Sequence, residues 1–209
     1  LVKTADVVVA NLPPQTLESM SLDYETLKAI KGDIILTTNS AFGSGGPYSD
    51  RVGFDGIGQA MSGAMYLSGF PNQPQKIYPP YVDFGTALYS ALGTIAALME
   101  RDRTGKGCKV ETSLLRTALS FNNAALIEQA TTTINRIGTG NRGQVGAPID
   151  AFKANDGWIL IQVIGHLKCS TLLCFPSHRC SQRSHSTINF ESLIIFCNCS
   201  TRCFICSTK

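Results

Sequence analysis

Residues 6–10 read Asp-Val-Val-Val-Ala and residues 34–36 read Ile-Ile-Leu, and these two stretches decide the fold that the sequence predicts. Short apolar runs of this kind, rich in β-branched residues, are typical of buried strands. Between them, Asp23 can cap a helix over residues 24–30, and Gly32 can end that helix. A strand, a helix and a second strand with short connections predict a parallel sheet. We therefore expect an α/β fold with a partial Rossmann-like parallel sheet and flanking helices.

The residues that follow the two predicted strands mark the expected binding site. In a parallel sheet of this type, ligands bind beyond the carboxyl ends of the strands. Those ends are Asn-Leu-Pro-Pro at 11–14 and a segment at 37–47 that runs into a glycine-rich loop. The loop, Phe-Gly-Ser-Gly-Gly-Pro-Tyr at 42–48, lacks the Gly-Lys-Ser/Thr ending of a P-loop.

Asp83 stands before the longest uncharged apolar run of the chain, residues 84–99. The run predicts a helix that is buried on most sides, and it is too short and too interrupted by small polar residues to predict a membrane span. An aspartate at this place most often serves as an N-cap. It also faces the positive end of the helix dipole, which would keep it ionised at neutral pH, and an ionised carboxylate can attack an activated acyl group. The two interpretations are compatible.

The composition changes sharply after residue 165. Residues 166–209 hold seven of the eight cysteines, all three histidines, five of the 18 basic residues and one of the 15 acidic residues. That leaves 13 basic and 14 acidic residues in residues 1–165, so the main body has no charge excess that would attract nucleic acid or an anionic membrane. Its single cysteine, Cys108, suits a reducing compartment.

The cysteine-rich tail allows three interpretations. Its last four cysteines could bind zinc, although their spacing is cramped for two zinc knuckles. They are Cys197, Cys199, Cys203 and Cys206. Disulfides require a secreted protein, which nothing in the sequence indicates. We favour a tail that is irregular, disordered or not native coding sequence, and we predict no metal site.

Two segments between the apolar runs predict loops. Gly-Thr-Gly-Asn-Arg-Gly at 138–143 matches the spacing of a dinucleotide fingerprint. Because it follows a helix rather than a strand, we interpret it as a flexible loop. Asn-Asp-Gly at 155–157 separates two apolar runs and predicts a β-hairpin.

Four segments, in this order, resemble the family III CoA-transferases of the CaiB/BaiF type. They are Ala-Asp-Val-Val-Val-Ala-Asn-Leu-Pro-Pro at 5–14, the glycine-rich loop with Gly-Phe-Asp and Gln-Ala-Met-Ser-Gly at 42–63, Val-Asp-Phe-Gly-Thr-Ala-Leu-Tyr at 82–89, and Ala-Ala-Leu to Thr-Gly-Lys-Gly at 96–107. The resemblance covers residues 1 to about 165. It implies a partial family domain, truncated at both ends, in residues 1–165, and an atypical tail in residues 166–209.

The resemblance also implies a function and a set of site residues. Asp83 falls on the family nucleophile, which forms an aspartyl anhydride and then an aspartyl-CoA thioester while CoA moves from an acyl-CoA to a carboxylic acid. The residues that fall on CoA contacts are Asn11, Leu12, Pro13, Val52, Gly53, Phe54 and Asp55. The substrates would be an acyl-CoA and a small carboxylic acid, with no tightly bound cofactor, no nucleic acid and no membrane. Family members are interlocked homodimers, and we expect a cytoplasmic location, or a mitochondrial one in a eukaryote.

Two alternatives remain open. Acyl-CoA racemases and isomerases share the fold and pair an aspartate with the histidine of a Gly-His-Asp motif. Here the triplet is Gly53-Phe54-Asp55. Phenylalanine cannot carry a proton, which favours transfer over racemisation. The other alternative is an inactive truncated product with a metal-binding tail.

Overall fold

A computed structural model describes residues 1–146, 148–162 and 204–208 and divides the chain into two units, Leu1–Gly138 and Thr139–Lys209. In chain order the first unit contains β1 (Val7–Ala10), α1 (Pro14–Ser19), α2 (Tyr24–Ile30), β2 (Ile35–Ser40), α3 (Asp55–Met61), α4 (Ala64–Ser68), α5 (Tyr81–Thr104), β3 (Lys109–Ser113), α6 (Leu114–Phe121) and α7 (Asn123–Thr131). The second unit contains β4 (Ile149–Lys153), β5 (Trp158–Gln162) and β6 (Phe204–Thr208).

The three strands of the first unit form a parallel sheet in the order β1-β2-β3. Leu36 at its centre pairs with Val8 on one side and with Lys109 on the other. Helices flank this sheet, so the predicted α/β fold is confirmed. All three carboxyl ends lie at the same edge, since the strands run in one direction.

The connection between β1 and β2 contains two helices rather than the one that the sequence predicts. Proline at the first helical position is favourable because its missing N–H has no partner there anyway, and Pro14 therefore starts α1 instead of only ending β1. The second helix, α2, has the predicted bounds. Its N-cap is Asp23, whose side chain accepts the backbone N–H of Thr26 at 3.0 Å, as predicted.

Leu27, Ile34 and Leu36 form the fully buried centre of the first unit, where α2 packs on the sheet. The neighbours Val8 and Tyr24 are partly buried against them. Burying side chains of this size contributes about 1.5–3 kcal/mol each, so this cluster fixes α2 and the strands that carry the binding edge.

Helix α5 is longer and less buried than predicted. It runs over 24 residues, and its buried face consists of small residues and one valine: Val82, Gly85, Thr86, Ser90 and Ala97. Its large apolar side chains lie on the opposite, exposed face and are each more than half exposed: Phe84, Leu88, Leu92, Ile95 and Met99. The prediction of a helix buried on most sides is therefore wrong, because an apolar composition does not indicate which face of a helix meets the sheet.

By length and composition, α5 could also cross a membrane, with a mean hydropathy of 1.3 in its most apolar window. Core helices of soluble proteins meet the same two criteria. The uncharged run at 84–99 is shorter than a span, as predicted, but α5 continues beyond both ends of the run, so the length of the helix itself does not exclude a span.

The second unit is described in part. Strands β4 and β5 pair antiparallel around a turn in which Ala154 donates its N–H to the carbonyl of Gly157 at 3.0 Å, which confirms the predicted hairpin. Strand β6, which lies within the tail, pairs antiparallel with β5. The predictions for Cys197, Cys199 and Cys203 fall outside the described residues, as does the boundary expected at residue 165.

Candidate active site

An open cleft of about 380 Å³ lies at the carboxyl edge of the parallel sheet. Five places in the fold contribute to it: the end of β1, the end of β2, the loop before α3, the first turns of α5, and the start of α6. The lining residues are Asn11, Pro13, Asn39, Ser40, Ala41, Arg51, Val52, Gly53, Phe54, Asp83, Thr86, Ala87 and Leu114. Six of the eight residues that the sequence predicts for the site are therefore together in one cleft.

Asp83 is the one acidic residue among those that line the cleft. It does not cap α5, as its position suggested, because the N-cap is Pro80 and Asp83 lies in the first turn of the helix. Its side chain is exposed and has no hydrogen-bond partner among the described residues. Partial desolvation by the cleft walls and the nearby charge of Asp55 raise the pKa of Asp83, and Lys76 opposes them. The shift is opposite in sign to the one expected from the helix dipole.

Asp55, in the first turn of α3, supplies the cap that α5 lacks. One of its carboxylate oxygens, Oδ1, accepts the backbone N–H of Val82 at 2.8 Å, and Oδ2 accepts the side-chain amide of Gln59 at 2.6 Å. Lys76 Nζ lies 3.6 Å from the same Oδ2. Asp55 is 4% exposed and does not line the cleft, so in this structure it holds the helix that carries Asp83.

The other residues predicted to contact CoA differ in their exposure. Val52 and Phe54 are 70% and 75% exposed and form an apolar wall of the cleft. Gly53 lies between them, where a Cβ atom would come within 3.0 Å of the Ala41 side chain, so the loop packs tightly against the end of β2. Leu12 is partly buried and is not among the lining residues.

The glycine-rich loop is fastened to β3 by Glu111, which the sequence did not single out. Glu111 accepts the backbone N–H of Ser44 at 2.9 Å and its hydroxyl at 2.7 Å, and Lys109 Nζ lies 2.9 Å away. Partial burial alone would raise the pKa of Glu111, but the Ser44 bonds and Lys109 lower it to about 2. Gly43 has a φ of +79°, a conformation that favours glycine, and this allows the turn that brings Ser44 to Glu111.

The structure adds four side chains with hydrogen-bond donors to the cleft that the sequence did not predict individually: Asn39, Ser40, Arg51 and Thr86. Asn39 and Ser40 end β2, the place where a ligand was expected. The guanidinium of Arg51 lies 4.6 Å from the centre of the Tyr48 ring, which is within the range of a cation–π contact. Within residues 1–146, 148–162 and 204–208, no group of three or more His, Cys, Asp or Glu residues is arranged to hold a metal ion.

Glycines 138–143 lie between α7 and β4, and no described helix follows them directly. A dinucleotide fingerprint needs a preceding strand and a following helix. The structure therefore agrees with their interpretation as a loop.

The chain resembles proteins of known activity over most of its length. It is 36% identical over 163 residues to the succinyl-CoA–D-citramalate CoA-transferase of Chloroflexus aurantiacus, which covers 77% of this chain and 40% of that relative. It is 33% identical over 168 residues to the succinate–glutarate CoA-transferase of Agrobacterium fabrum, with 78% and 41% covered. The chain spans about two fifths of the length of these curated relatives.

A solved structure has the same fold. The crystal structure of a CaiB/BaiF family protein from Brucella suis matches with a TM-score of 0.69 and 36% identity, over 77% of this chain and 43% of that one. The sequence model of CoA-transferase family III matches residues 1–175, which extends ten residues beyond the expected limit of the resemblance. The chain therefore belongs to CoA-transferase family III.

Proposed function

We propose that the whole protein moves CoA from an acyl-CoA thioester to a carboxylic acid, and that Asp83 carries the acyl group and then the CoA. One observation carries this proposal. Asp83 is the single carboxylate of a cleft at the carboxyl edge of the sheet, and its oxygens are free of hydrogen bonds within the described part of the chain. A carboxylate that is exposed to a ligand and not engaged by the protein is available as a nucleophile.

The reaction needs four exchanges at carbonyl carbon. An Asp83 oxygen attacks the thioester carbon, the carbon–sulfur bond breaks, and CoA thiolate leaves a mixed anhydride behind. The thiolate attacks the Asp83 carbonyl carbon, which forms an aspartyl-CoA thioester and releases the first acid. The acceptor carboxylate attacks the carbonyl carbon of that thioester, the carbon–sulfur bond breaks, and CoA thiolate leaves a second anhydride behind. The thiolate then attacks the acceptor carbonyl, which yields the new acyl-CoA and restores the Asp83 carboxylate.

The surroundings of Asp83 support this role. Desolvation and the charge of Asp55 raise the pKa of Asp83, and a more basic carboxylate is a better nucleophile as long as it remains ionised. The attack requires the ionised form, so activity should fall as the pH drops through the raised pKa. The thioester bond is exchanged rather than hydrolysed, so the reaction needs no ATP.

Five of the residues that the family implies as CoA contacts line the cleft, and we propose them as the direct contacts: Asn11, Pro13, Val52, Gly53 and Phe54. Leu12 and Asp55, which the family also implies, lie outside the lining. The exposed wall formed by Val52 and Phe54 suits the apolar parts of a pantetheine arm. Arg51 gives the cleft a cation for an anionic ligand. Asp55 is buried and fully engaged, so an effect of Asp55 on CoA would act through α5.

Similar proteins suggest which acids to test first. Their names include glutarate, mesaconate and oxalate as acceptors, with succinyl-CoA or acetyl-CoA as donors. We therefore propose an acyl-CoA and a small carboxylic acid as substrates, with dicarboxylic acids as the first acceptors to test. We further propose an interlocked homodimer in the cytoplasm, or in the mitochondrion of a eukaryote, without a tightly bound cofactor, nucleic acid or membrane.

The test uses the full chain, succinyl-CoA and a panel of dicarboxylic acids. Asp83→Asn should reduce transfer to the background rate, because the amide cannot form the anhydride. Asp50→Asn is the matched control, since Asp50 is exposed on the loop before the cleft and does not line it. Transfer that survives in the Asp83→Asn protein would refute the proposal. Exchange of the α-proton for deuterium without transfer would point to the racemase alternative.

A further inference from the structure

Asn39 is held on one side by two hydroxyl groups. It lies near the carboxyl end of β2 and lines the cleft that contains Asp83. Ser90 Oγ from α5 and Thr112 Oγ1 from β3 both hydrogen-bond to its side-chain oxygen, Oδ1. Two partners on one oxygen fix the plane of the amide, so Oδ1 faces the contact between α5 and the sheet.

The amide nitrogen of Asn39 has the opposite environment. Nδ2 has no hydrogen-bond partner among the described residues. No buried side-chain nitrogen or oxygen in the described part of the chain lacks a partner, so Nδ2 is not buried. Because Oδ1 faces inward and the residue lines the cleft, Nδ2 is the polar atom that Asn39 offers to a ligand.

The other polar side chains of the cleft differ from Asn39 in burial or in their partners. Arg51 is exposed and its guanidinium lies over the Tyr48 ring. Thr86 Oγ1 lies 2.7 Å from the Val82 carbonyl and 2.9 Å from the Thr117 hydroxyl. Ser40 Oγ accepts the backbone N–H of Gly43 at 2.9 Å and keeps its own O–H, whose direction is not fixed by a second partner among the described residues. The side chain of Asn11 is exposed. Asn39 thus combines partial burial, a fixed plane and an unused donor.

We propose that Asn39 is a catalytic residue whose Nδ2 donates a hydrogen bond to the carbonyl oxygen of the acyl group during attack by Asp83. This inference rests on the proposed function. As the new carbon–oxygen bond forms, the carbonyl electron pair moves to the oxygen and creates a negative charge there. A donor already held in place stabilises that charge without reorganisation. When the oxyanion collapses, the carbon–sulfur bond breaks and CoA thiolate leaves, while the amide keeps both of its protons.

Two substitutions of Asn39 separate the donor from the structural contacts. Asn39→Asp keeps an oxygen for Ser90 and Thr112, and it replaces the donor by a second, negatively charged oxygen. Asn39→Leu has a similar volume, removes the donor and adds no charge near Asp83. We expect each to lower kcat by about 10²–10³-fold, as the removal of one oxyanion donor does elsewhere, and to leave the Kd of free CoA unchanged, since free CoA has no acyl oxygen.

Thr37→Val is the matched control in the same strand. It removes a hydroxyl that bonds to Thr94 at 2.6 Å across the same contact between α5 and β2, but Thr37 does not line the cleft. We expect nearly wild-type kcat from it. If it lowers kcat as much as the Asn39 substitutions do, a loosened helix explains the loss and the inference is wrong.

The outcomes for Asn39 and for the proposed function can be told apart. If the wild-type protein transfers CoA and both Asn39 variants keep its kcat, this inference is wrong and the proposed function stands. Loss of CoA binding in both variants would also overturn it, because the donor would then serve the carrier and not the acyl group. Absence of transfer by the wild-type protein would overturn the proposed function and this inference with it.

Discussion

Replacement of Asp55 by alanine should destabilise the protein more than replacement of any exposed acid. The substitution removes the cap from the Val82 N–H at the start of α5 and takes away one partner of the buried Gln59 amide. Loss of a helix cap costs about 0.5–2 kcal/mol. A buried polar group that loses its partner costs about 1–3 kcal/mol, and here the lower end applies because Gln59 keeps a bond to the Ile77 carbonyl.

The expected loss from Asp55→Ala is therefore about 1.5–3 kcal/mol of the free energy of unfolding, a large part of the 5–15 kcal/mol typical of a domain. The ion pair with Lys76 adds little, since the lysine is half exposed. Urea denaturation of the full chain measures the change, with the exposed Asp50→Ala as the control. A loss below about 0.5 kcal/mol would refute the assignment of Asp55 as the cap of α5.

A second substitution at this position tests the electrostatic link to Asp83. Asp55→Asn keeps an oxygen for the Val82 N–H and removes the charge that helps to raise the pKa of Asp83. The pKa of Asp83 should fall, because ionisation is no longer opposed by a neighbouring negative charge. The acid limb of the pH–rate profile should then move to lower pH. If the acid limb of the pH–rate profile does not move, the charge of Asp55 does not affect the pKa of Asp83. Weaker CoA binding without loss of stability would instead support a direct contact between Asp55 and CoA.

Three further predictions concern stability, and denaturation experiments check each of them. Glu111 has a pKa of about 2 in the folded protein against an ordinary value of 4.5, so its contribution to the free energy of unfolding is complete above pH 4.5 and is lost as the pH falls toward 2. Glu111→Gln should make the free energy of unfolding depend less steeply on pH in that window. An unchanged slope would contradict the role of Glu111 in holding the glycine-rich loop. Leu27→Ala should lower the free energy of unfolding by about 2–5 kcal/mol because Leu27 is fully buried. Lys28→Ala, on the exposed side of α2, should change it by less than about 0.5 kcal/mol. Equal losses from the two substitutions would contradict the assignment of Leu27 to the core. Gly85→Ala would push a methyl group into the Phe121 ring and lower the free energy of unfolding by about 1–3 kcal/mol. Gly32→Ala is the control, because a methyl group there meets no atom within 4 Å. If Gly85→Ala leaves the stability unchanged, α5 and α6 pack less closely than described.

Local signals in the sequence located the first two strands and one helix start, although β2 extends to Ser40, beyond the predicted run at 34–36. The apolar, β-branched run at 6–10 forms β1, but none of its residues is buried and Val9 is 65% exposed, because β1 is an edge strand of the described sheet. The strand was therefore predicted correctly and its burial was not. Asp23 caps α2 through a residue three positions later, so its partner is visible in the sequence itself. The position of the binding edge followed from the parallel topology alone.

Long-range contacts were beyond the reach of the sequence. The cap of α5 comes from Asp55, 27 residues before the N–H that it accepts, so Asp83 was assigned a capping role that another residue fills. Glu111 accepts a hydrogen bond from Ser44, 67 residues away in the sequence, and nothing in the sequence near β3 predicts that contact. Asn39 lies in β2, and no residue next to it in the sequence marks it as part of a site. Its amide is held by Ser90 of α5 and Thr112 of β3, which are far from it in the sequence. The exposed apolar face of α5 was missed for the same reason.

The transfer of oxygen between the acceptor acid and Asp83 tests the central claim most directly. In the proposed sequence, the acceptor carboxylate attacks the aspartyl-CoA thioester, and one of its oxygens stays on Asp83 when the second anhydride is opened by thiolate. A single turnover of the full chain with a dicarboxylic acid labelled with ¹⁸O at every carboxyl oxygen, followed by digestion and mass spectrometry, should therefore show one ¹⁸O atom in the peptide that contains Asp83, and repeated turnover should add a second. Product formation with an unlabelled Asp83 peptide would contradict the covalent role of this carboxylate.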